Sequence, residues 1–165
     1  MNRSISVVLL LFSFITACGQ KSYEEKLSGM YKYTVPLINP DTLKSELESK
    51  DIILIDTRSM KEYKVSHLPN ARFLDYDRYS KKDFKDIPKD AEVVVYCSVG
   101  YRSERVGEKM KSLGFTNVKN LYGGIFEWKN TDNQVVNDKG VSTDSVHTYN
   151  KNWSQWLEKG IKVYE

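Results

Sequence analysis

The sequence contains only two cysteines, Cys18 and Cys97, among its 165 residues. A scaffold held together by disulfides needs an even set of cysteines within the folded part of the chain. Cys18 follows an N-terminal apolar segment, and lipidation at that position would leave Cys97 as the only free thiol. An internal disulfide is then excluded, and a lone thiol in an exported chain is more typical of a reactive group than of a structural one.

A strong excess of one charge is also lacking. The chain has 25 Lys and Arg against 22 Asp and Glu, which gives a net charge of +3. Cations and anions alternate, as in residues 81–86, and no cluster of cations accompanies the eleven tyrosines and three tryptophans. A nucleic-acid surface needs a basic patch or stripe. We therefore expect a solvated surface of mixed charge and no nucleic-acid partner.

No apolar run approaches the roughly 20 residues that a membrane-spanning helix requires. The longest extends from Ile5 to Ile15, with Arg3 before it and Cys18 shortly after it. This order of basic, apolar and small residues is typical of a secretory signal. The four residues that end in Cys18 also resemble the lipobox of bacterial lipoproteins, in which the chain is cut before the cysteine and its thiol is lipidated. A plain secreted protein and an uncleaved anchor are the alternatives.

The lipobox resemblance implies a signal peptide over residues 1–17 and a lipid anchor at Cys18. Gly19, directly after it, resembles the pattern of lipoproteins that some bacteria send to the outer membrane. We therefore expect the chain in the cell envelope, held on the periplasmic or extracytoplasmic face. Residues 18–30 are polar and lack a clear period, so they are predicted to form a tether between the membrane and a domain.

Strand and helix patterns alternate after the tether. Continuous apolar runs of this length are typical of strands buried on both faces, whereas apolar residues at intervals of three and four indicate helices. The predicted elements are a helix capped by Asn39 with Pro40 in its first turn, a strand at 51–56, a strand at 91–96, a helix ended by Gly114, a strand at 117–122 and a short helix at 125–128. This order predicts an α/β fold with an open, mostly parallel sheet and helices on both faces. Residues 130–146 are predicted to be loop, and residues 153–157 to pack back onto the domain.

The segment from Cys97 to Ser103 carries the strongest chemical signal. It lies where a buried strand ends and a helix begins, which is where ligands bind in open α/β sheets. Backbone N–H groups converge at such a helix start, and the helix dipole adds positive potential. Gly100 permits the backbone angles of a tight turn, and Arg102 supplies fixed positive charge. Because such surroundings favour the thiolate form of a cysteine, a reactive nucleophile is predicted at Cys97.

Four motifs, in order, resemble the rhodanese family. Along the chain, Asp56 to Arg58, with Glu62 and Tyr63, resembles the strand-end Asp-x-Arg motif, and Ser66 to Ala71 resembles the Gly-His-Ile-Pro-Gly-Ala turn. Cys97 to Ser103 then resembles the active-site loop, and Leu121 to Trp128 resembles the closing Gly-Gly segment. The resemblance covers roughly residues 35–129. It implies a rhodanese-like domain over residues 31–130 and a C-terminal extension over residues 131–165 that packs on it.

The rhodanese resemblance implies transfer of sulfane sulfur through a persulfide on Cys97. The donor would be thiosulfate, a polysulfide or a persulfide, and the acceptor a thiol or cyanide; no cofactor and no metal are implied. The loop residues Ser98, Val99, Gly100, Tyr101, Arg102 and Ser103 would hold the persulfide, with Tyr101 at the pocket mouth. Asp56 and Arg58 are expected to support the loop, Asp56 by bonding to neighbouring loops and Arg58 by pairing with Glu62.

Some residues depart from the family pattern or leave other functions open. Ser98 stands where many thiosulfate-using members carry a cation, so a polysulfide or persulfide is the better expected donor. Ser66 and Asn70 replace glycines of the turn. Related phosphatases and arsenate reductases have five residues between cysteine and arginine, whereas four separate Cys97 from Arg102. The remaining alternative is a non-catalytic module that keeps the fold for binding or sensing. His67 is expected to make a structural hydrogen bond, and His147 has no readable role.

Overall fold

The computed structural model describes residues 22–164, where helices and strands alternate. The helices are α1 (Tyr23–Ser28), α2 (Pro40–Leu47), α3 (Met60–Val65), α4 (Tyr101–Ser112) and α5 (Gly124–Asn130). The strands are β1 (Leu37–Ile38), β2 (Ile52–Asp56), β3 (Arg72–Phe73), β4 (Glu92–Tyr96), β5 (Asn117–Leu121), β6 (Val135–Val136), β7 (Ser142–Thr143), β8 (Ser145–His147) and β9 (Ile161–Val163). Two 3₁₀ turns, Lys81–Phe84 and Ser154–Trp156, complete the elements.

The central sheet has five strands in the order β1-β5-β4-β2-β3, and every neighbouring pair is parallel. β4 lies in the middle and pairs with β2 through five residues, from Ile52 opposite Glu92 to Asp56 opposite Tyr96. Both strand ends therefore finish at the same edge of the sheet, next to Cys97. The α/β class predicted from the sequence is confirmed.

Successive residues of β4 enter different cores. Val93 and Val95 pack with residues of α4 in one core. Val94, which lies between them, packs on the opposite side of the sheet with residues of α2 and α5. This follows from the two-residue period of a strand. The central strand is therefore packed on both of its faces. Since burying one such side chain contributes roughly 1.5–3 kcal/mol, this packing fixes the position of the loop that follows the strand.

The helix boundaries agree with the capping residues. Asn39 Oδ1 accepts a 2.8 Å hydrogen bond from the Thr42 N–H at the start of α2, as its sequence position predicts. At the other end of a helix, Gly114 follows α4 with φ of +90°, a conformation that glycine adopts without strain. These local signals are sufficient to place both helices against the sheet.

The segment predicted as a tether requires a correction, because its second half belongs to the folded domain. Ser22 and Glu25 form a reciprocal capping box that starts α1, and Leu27 is fully buried in the core. Tyr23 Oη also donates a 3.1 Å hydrogen bond to the Gly123 carbonyl. One buried leucine in a six-residue helix gives no recognisable period in the sequence. The predicted signal peptide and Cys18 lie outside the described residues.

The C-terminal extension also contains more structure than the sequence predicts. Within residues 130–146, the predicted loop, β6 and β7 form an antiparallel pair. β8, which begins at Ser145, pairs in parallel with β9 near the end of the chain. These strands are two or three residues long, too short to show an alternating pattern. Val146 and Leu157 are fully buried in the same core as α2 and α5, so the extension packs on the domain. Nowhere in residues 22–164 does a helix have the length and apolar character needed to cross a membrane.

Candidate active site

Cys97 lies directly after β4 and before α4, at the carboxyl edge of the sheet. The residue is only 1% exposed, yet it lines a cavity of about 260 Å³ that opens to the surface. The cavity is lined by Met30, Tyr76, Asp77, Cys97, Ser98, Val99, Tyr101, Arg102, Tyr149 and Trp153. A small molecule can therefore reach a sulfur that is otherwise shielded from water.

Gly100 turns the chain from the strand into α4. Its φ of +94° lies in the left-handed region, and its N–H donates a hydrogen bond of 3.2 Å to Cys97 Sγ. A Cβ at this position would overlap the hydroxyl of Tyr31. Glycine is therefore needed both for the turn and for the close approach of the tyrosine, and the turn aims a backbone donor at the sulfur.

The carbonyl groups of the loop are bound by the surrounding scaffold. The N–H groups of Ile125 and Phe126, in α5, donate to the carbonyls of Cys97 and Ser98 at 2.9 and 3.2 Å. Tyr31 Oη donates to the Val99 carbonyl at 2.6 Å. Because the negative ends of these peptide dipoles are bound elsewhere, the positive N–H side of the loop is left for an anion at the sulfur.

A second polar group, Asn120, holds the start of α4. Asn120 Nδ2 donates to the Gly100 carbonyl at 2.9 Å, and its Oδ1 accepts from Ser103 Oγ at 2.7 Å. Both side chains are fully buried. Ser103, predicted to hold the persulfide, therefore supports the loop through its bond to Asn120. It is not among the residues that line the cavity.

Arg102 and Glu62 form a two-pronged ion pair beside the loop. Arg102 Nη2 lies 2.7 Å from Glu62 Oε1, and Nη1 lies 3.0 Å from Oε2. Ser98 Oγ joins the pair by donating to Glu62 Oε1 at 2.9 Å and accepting from Arg102 Nη2 at 3.1 Å. Geometry of this kind is the strongest that a guanidinium makes with a carboxylate. The pair thus joins α3 to α4 across the loop.

The electrostatics of this pair favour both charged forms. Burial raises the pKa of Glu62, but its hydrogen bond to Arg102 and the charges of Arg102 and Arg58 outweigh burial and lower the pKa to about 2. Burial lowers the pKa of Arg102, and its hydrogen bond to Glu62, together with the neighbouring Cys97, raises it above the ordinary value. Arg102 therefore carries a permanent charge close to Cys97, largely balanced by Glu62.

Asp56 and Arg58 pair with each other, which corrects two predictions. Arg58 Nη2 lies 2.7 Å from Asp56 Oδ2, and the Arg58 N–H also donates to Asp56 Oδ1 at 3.0 Å. Arg58 reaches the Ser66 carbonyl as well, whereas Glu62 belongs to Arg102. Both side chains are fully buried. They support the strand end, but Asp56 does not bond to neighbouring loops through its oxygens as expected, and Arg58 does not pair with Glu62.

The backbone of the turn at residues 66–71 accommodates both departures from glycine, although the buried Ser66 hydroxyl has no hydrogen-bond partner among the described residues. Ser66 has φ of −167°, which is extended backbone open to any residue, and Asn70 has φ of +62°, which asparagine tolerates. His67 makes the structural hydrogen bond that was predicted, from its ring Nδ1 to the Tyr63 carbonyl at 3.0 Å.

The arrangement at Cys97 is matched by a known family. The profile of the Rhodanese-like domain family matches residues 39–131, which include the strand end, the loop and α5. The chain belongs to this family. No group of three or more His, Cys, Asp or Glu residues that could hold a metal ion occurs among residues 22–164, the part of the chain that the structure describes.

Curated relatives share this domain within longer chains. The tRNA uridine(34) hydroxylase of Wolbachia pipientis subsp. Culex pipiens is 32% identical over 133 residues, which cover 76% of this chain and 44% of that protein. The adenylyltransferase and sulfurtransferase uba4 of Ogataea parapolymorpha is 31% identical over 75 residues, which cover 46% of this chain and 19% of that protein. The chain therefore spans less than half the length of these relatives.

A solved structure of similar size supports the same fold. The BH2092 protein of Bacillus halodurans superposes with a TM-score of 0.58 at 25% identity, covering 71% of this chain and 87% of that chain. The curated relatives of this domain include a sulfurtransferase and a tRNA uridine(34) hydroxylase.

Sequence reasoning missed several residues of the site. Glu62 is recognisable in the sequence, because it follows the Asp-x-Arg motif at the family's spacing. The sequence predicts that it pairs with Arg58, whereas in the structure it pairs with Arg102. Tyr31 and Asn120 lie outside the loop motif and reach it only through the fold. Tyr149 and Trp153 come from the C-terminal extension and line the cavity. By contrast, the loop residues Ser98, Val99, Tyr101 and Arg102 line the cavity with Cys97.

Changing Gly100 to alanine should destabilise the protein more than the same change at Gly114. Both glycines have φ near +90°, so alanine costs about 1–2 kcal/mol of backbone strain at either position. Only at Gly100 does the new Cβ meet Tyr31, whereas nothing lies within 4 Å of a Cβ at Gly114. Urea unfolding of the two variants measures the difference, which should reach about 2 kcal/mol. Equal losses would show that Tyr31 moves aside without cost.

Proposed function

We propose that the protein is a sulfurtransferase that carries sulfane sulfur as a persulfide on Cys97. In the first step the Cys97 thiolate attacks the outer sulfur of a polysulfide, a persulfide or thiosulfate. A new S–S bond forms on Cys97, the donor's S–S bond breaks, and the electron pair leaves with the donor's thiolate or sulfite. A thiol or cyanide acceptor then attacks the outer sulfur of Cys97, which regenerates the thiolate.

The observation that carries the proposal is the hydrogen bond from the Gly100 N–H to Cys97 Sγ at the N-terminal end of α4. Donors fixed before the reaction stabilise charge as it develops, without the cost of reorienting a solvent. The loop carbonyls of Cys97, Ser98 and Val99 are bound elsewhere, so the N–H side of the loop is available to accommodate the anionic persulfide. The sulfurtransferase named among the curated relatives supports this reading.

Two other functions fit the geometry less well. A phosphatase or arsenate reductase needs a guanidinium that is free to hold an oxyanion, and here both Nη groups of Arg102 bind Glu62. A non-catalytic binding module does not need a cysteine aligned with a backbone donor. Hydrolysis of a small aryl phosphate would favour the phosphatase, and a chain that binds a partner without taking up sulfur would favour the module.

Intact-protein mass spectrometry of the domain, without its lipid segment, tests the proposal. The domain is incubated separately with polysulfide and thiosulfate, and then with cyanide. We expect a gain of one sulfur atom that cyanide removes as thiocyanate, and prior alkylation of Cys97 should prevent it. If neither donor adds sulfur to a domain whose Cys97 still reacts with the alkylating agent, the sulfurtransferase proposal is overturned.

We also propose that Cys18 carries a lipid that holds the domain in the cell envelope, a proposal that rests on the sequence pattern alone. Cys18→Ala is expected to move the protein from the membrane fraction of the cell to the soluble fraction. Cys97→Ser, which removes the other cysteine, should leave it with the membranes. Retention of the Cys18→Ala variant on membranes would argue against lipidation.

A further inference from the structure

The outer wall of the cavity is aromatic, and part of it comes from the C-terminal extension. Four rings line the cavity, those of Tyr76, Tyr101, Tyr149 and Trp153. Tyr149 follows β8 with φ of +65°, and its ring lies over the Arg102 guanidinium at 5.8 Å. Trp153 stands at the start of the second 3₁₀ turn. The extension therefore forms a surface suited to an apolar group next to Cys97.

The charges around the cavity do not favour a doubly charged anion. Among the described residues that line it, Arg102 and Asp77 are the charged ones. The Arg102 guanidinium already binds the Glu62 carboxylate at two points, and Asp77 adds negative charge at the rim. Lys26 lies on the ring of Trp153 at 5.4 Å but does not line the cavity. A dianion such as thiosulfate would thus enter a cavity that has no unpaired cationic side chain to balance its second charge among the described residues that line it.

We propose that the C-terminal extension selects sulfur donors that carry a single negative charge and an apolar group, which packs against Tyr149 and Trp153. This inference rests on the proposed sulfurtransferase function and names the donor class for the same site. Organic persulfides and thiosulfonates belong to this class. In each case the group attached to the sulfane sulfur lies in the aromatic part of the cavity while the sulfane sulfur meets Cys97.

Thiosulfonates allow the charge and the apolar group to be varied separately. The Cys97 thiolate attacks the sulfane sulfur of R–SO₂–S⁻, the bond between that sulfur and the sulfonyl group breaks, and the electron pair leaves as the sulfinate R–SO₂⁻. Thiosulfate reacts in the same way but carries two charges and releases sulfite. Methanethiosulfonate has one charge and a methyl group, and benzenethiosulfonate has one charge and a ring.

The test compares kcat/KM for these three donors, with cyanide as acceptor. Each value is divided by the rate constant of the same donor with a small free thiol, which removes differences in intrinsic reactivity. We expect methanethiosulfonate to exceed thiosulfate, and benzenethiosulfonate to exceed methanethiosulfonate by about tenfold or more, since an apolar pocket discriminates to that extent. A corrected value for thiosulfate that equals or exceeds the aryl donor's overturns the proposal.

Tyr149→Asn and Tyr33→Asn form a matched pair that tests the role of the extension. The two tyrosines are 57% and 59% exposed and have φ of +65° and +55°, a conformation that asparagine tolerates. Only Tyr149 lines the cavity. Tyr149→Asn is expected to reduce the advantage of the aryl donor over the methyl donor about three- to tenfold, whereas Tyr33→Asn should leave it unchanged.

The outcomes separate the two proposals. If none of the three donors forms a persulfide on a reactive Cys97, the sulfurtransferase function fails, and the donor class fails with it. If persulfide forms but the aryl donor has no advantage, only the donor class is overturned. If the advantage persists in Tyr149→Asn, the proposed packing of the donor's apolar group against Tyr149 is overturned.

Discussion

Replacing Cys97 with serine is expected to abolish sulfur transfer while leaving the fold intact. A serine hydroxyl occupies the same place after β4 and accepts the hydrogen bond that Gly100 N–H donates to the sulfur. It cannot form the S–S bond on which the proposed reaction depends, so the rate should fall by at least about 10³-fold. Intact-protein mass spectrometry with polysulfide, and cyanide turnover, measure the loss.

Thermal unfolding provides the control for this variant. Because the loop is held mainly through its carbonyls, by Tyr31 and by the N–H groups of Ile125 and Phe126, the midpoint of Cys97→Ser should stay close to that of the wild type. A variant that is folded and still transfers sulfur would contradict the assignment of Cys97 as the carrier. A variant that unfolds would instead show that the sulfur itself holds the loop.

Replacing Glu62 with glutamine should destabilise the fold strongly and should also impair the site. The change keeps the shape of the side chain but leaves the guanidinium of Arg102 without its carboxylate, and it weakens the bond to Ser98. Breaking a buried ion pair typically costs about 3 kcal/mol, which urea unfolding measures. Persulfide formation should slow as well, because Arg102 and Ser98 both line the cavity beside Cys97.

Glu46→Gln is the matched control for Glu62→Gln. Glu46 also pairs with two cations, Lys50 and Lys119, but this network lies on the surface, where such pairs contribute little. The control should leave both stability and sulfur transfer nearly unchanged. Similar losses in the two variants would show that Glu62 acts through general charge rather than through the loop.

The pH dependence of stability distinguishes the buried pair further. With a pKa lowered to about 2 from an ordinary 4.5, Glu62 binds fewer protons in the folded state than in the unfolded state between these values. Its contribution is therefore fully present above about pH 4.5 and is lost as the pH falls towards 2. The difference in unfolding free energy between wild type and Glu62→Gln should shrink over that interval, and a difference independent of pH would contradict the ion pair.

The sequence was sufficient for the parts of the fold that local patterns specify. β2 and β4 appear as apolar runs, and α2 begins at the cap formed by Asn39. The pairing of Arg58 with Glu62 was wrong because a spacing of four residues brings side chains together only when both stand on a helix. Arg58 precedes Ser59, the N-cap of α3, and instead turns back to Asp56.

The remaining site residues could not be predicted because their partners are distant along the chain. Tyr31 bonds to Val99, 68 residues away, and Tyr149 reaches Arg102 through the packing of the extension. Neither contact leaves a periodic pattern, since each depends on where a loop crosses the sheet edge. Helix α1 was missed for a different reason: in a helix of one and a half turns, one buried leucine forms no repeating face.

The folded state of α1 sets the reach of a membrane anchor. Ser22, its N-cap, is four residues beyond Cys18, and four extended residues span no more than about 14 Å. The helix also contacts the cavity wall, since Lys26 lies on the ring of Trp153. If Cys18 carries the proposed lipid, Ser22 therefore stays within about 14 Å of the anchored residue, and α1 holds the side of the domain that carries Trp153 close to the anchor. Under the two proposals together, donors whose apolar groups dissolve in the bilayer would reach this side of the domain by lateral diffusion along the membrane.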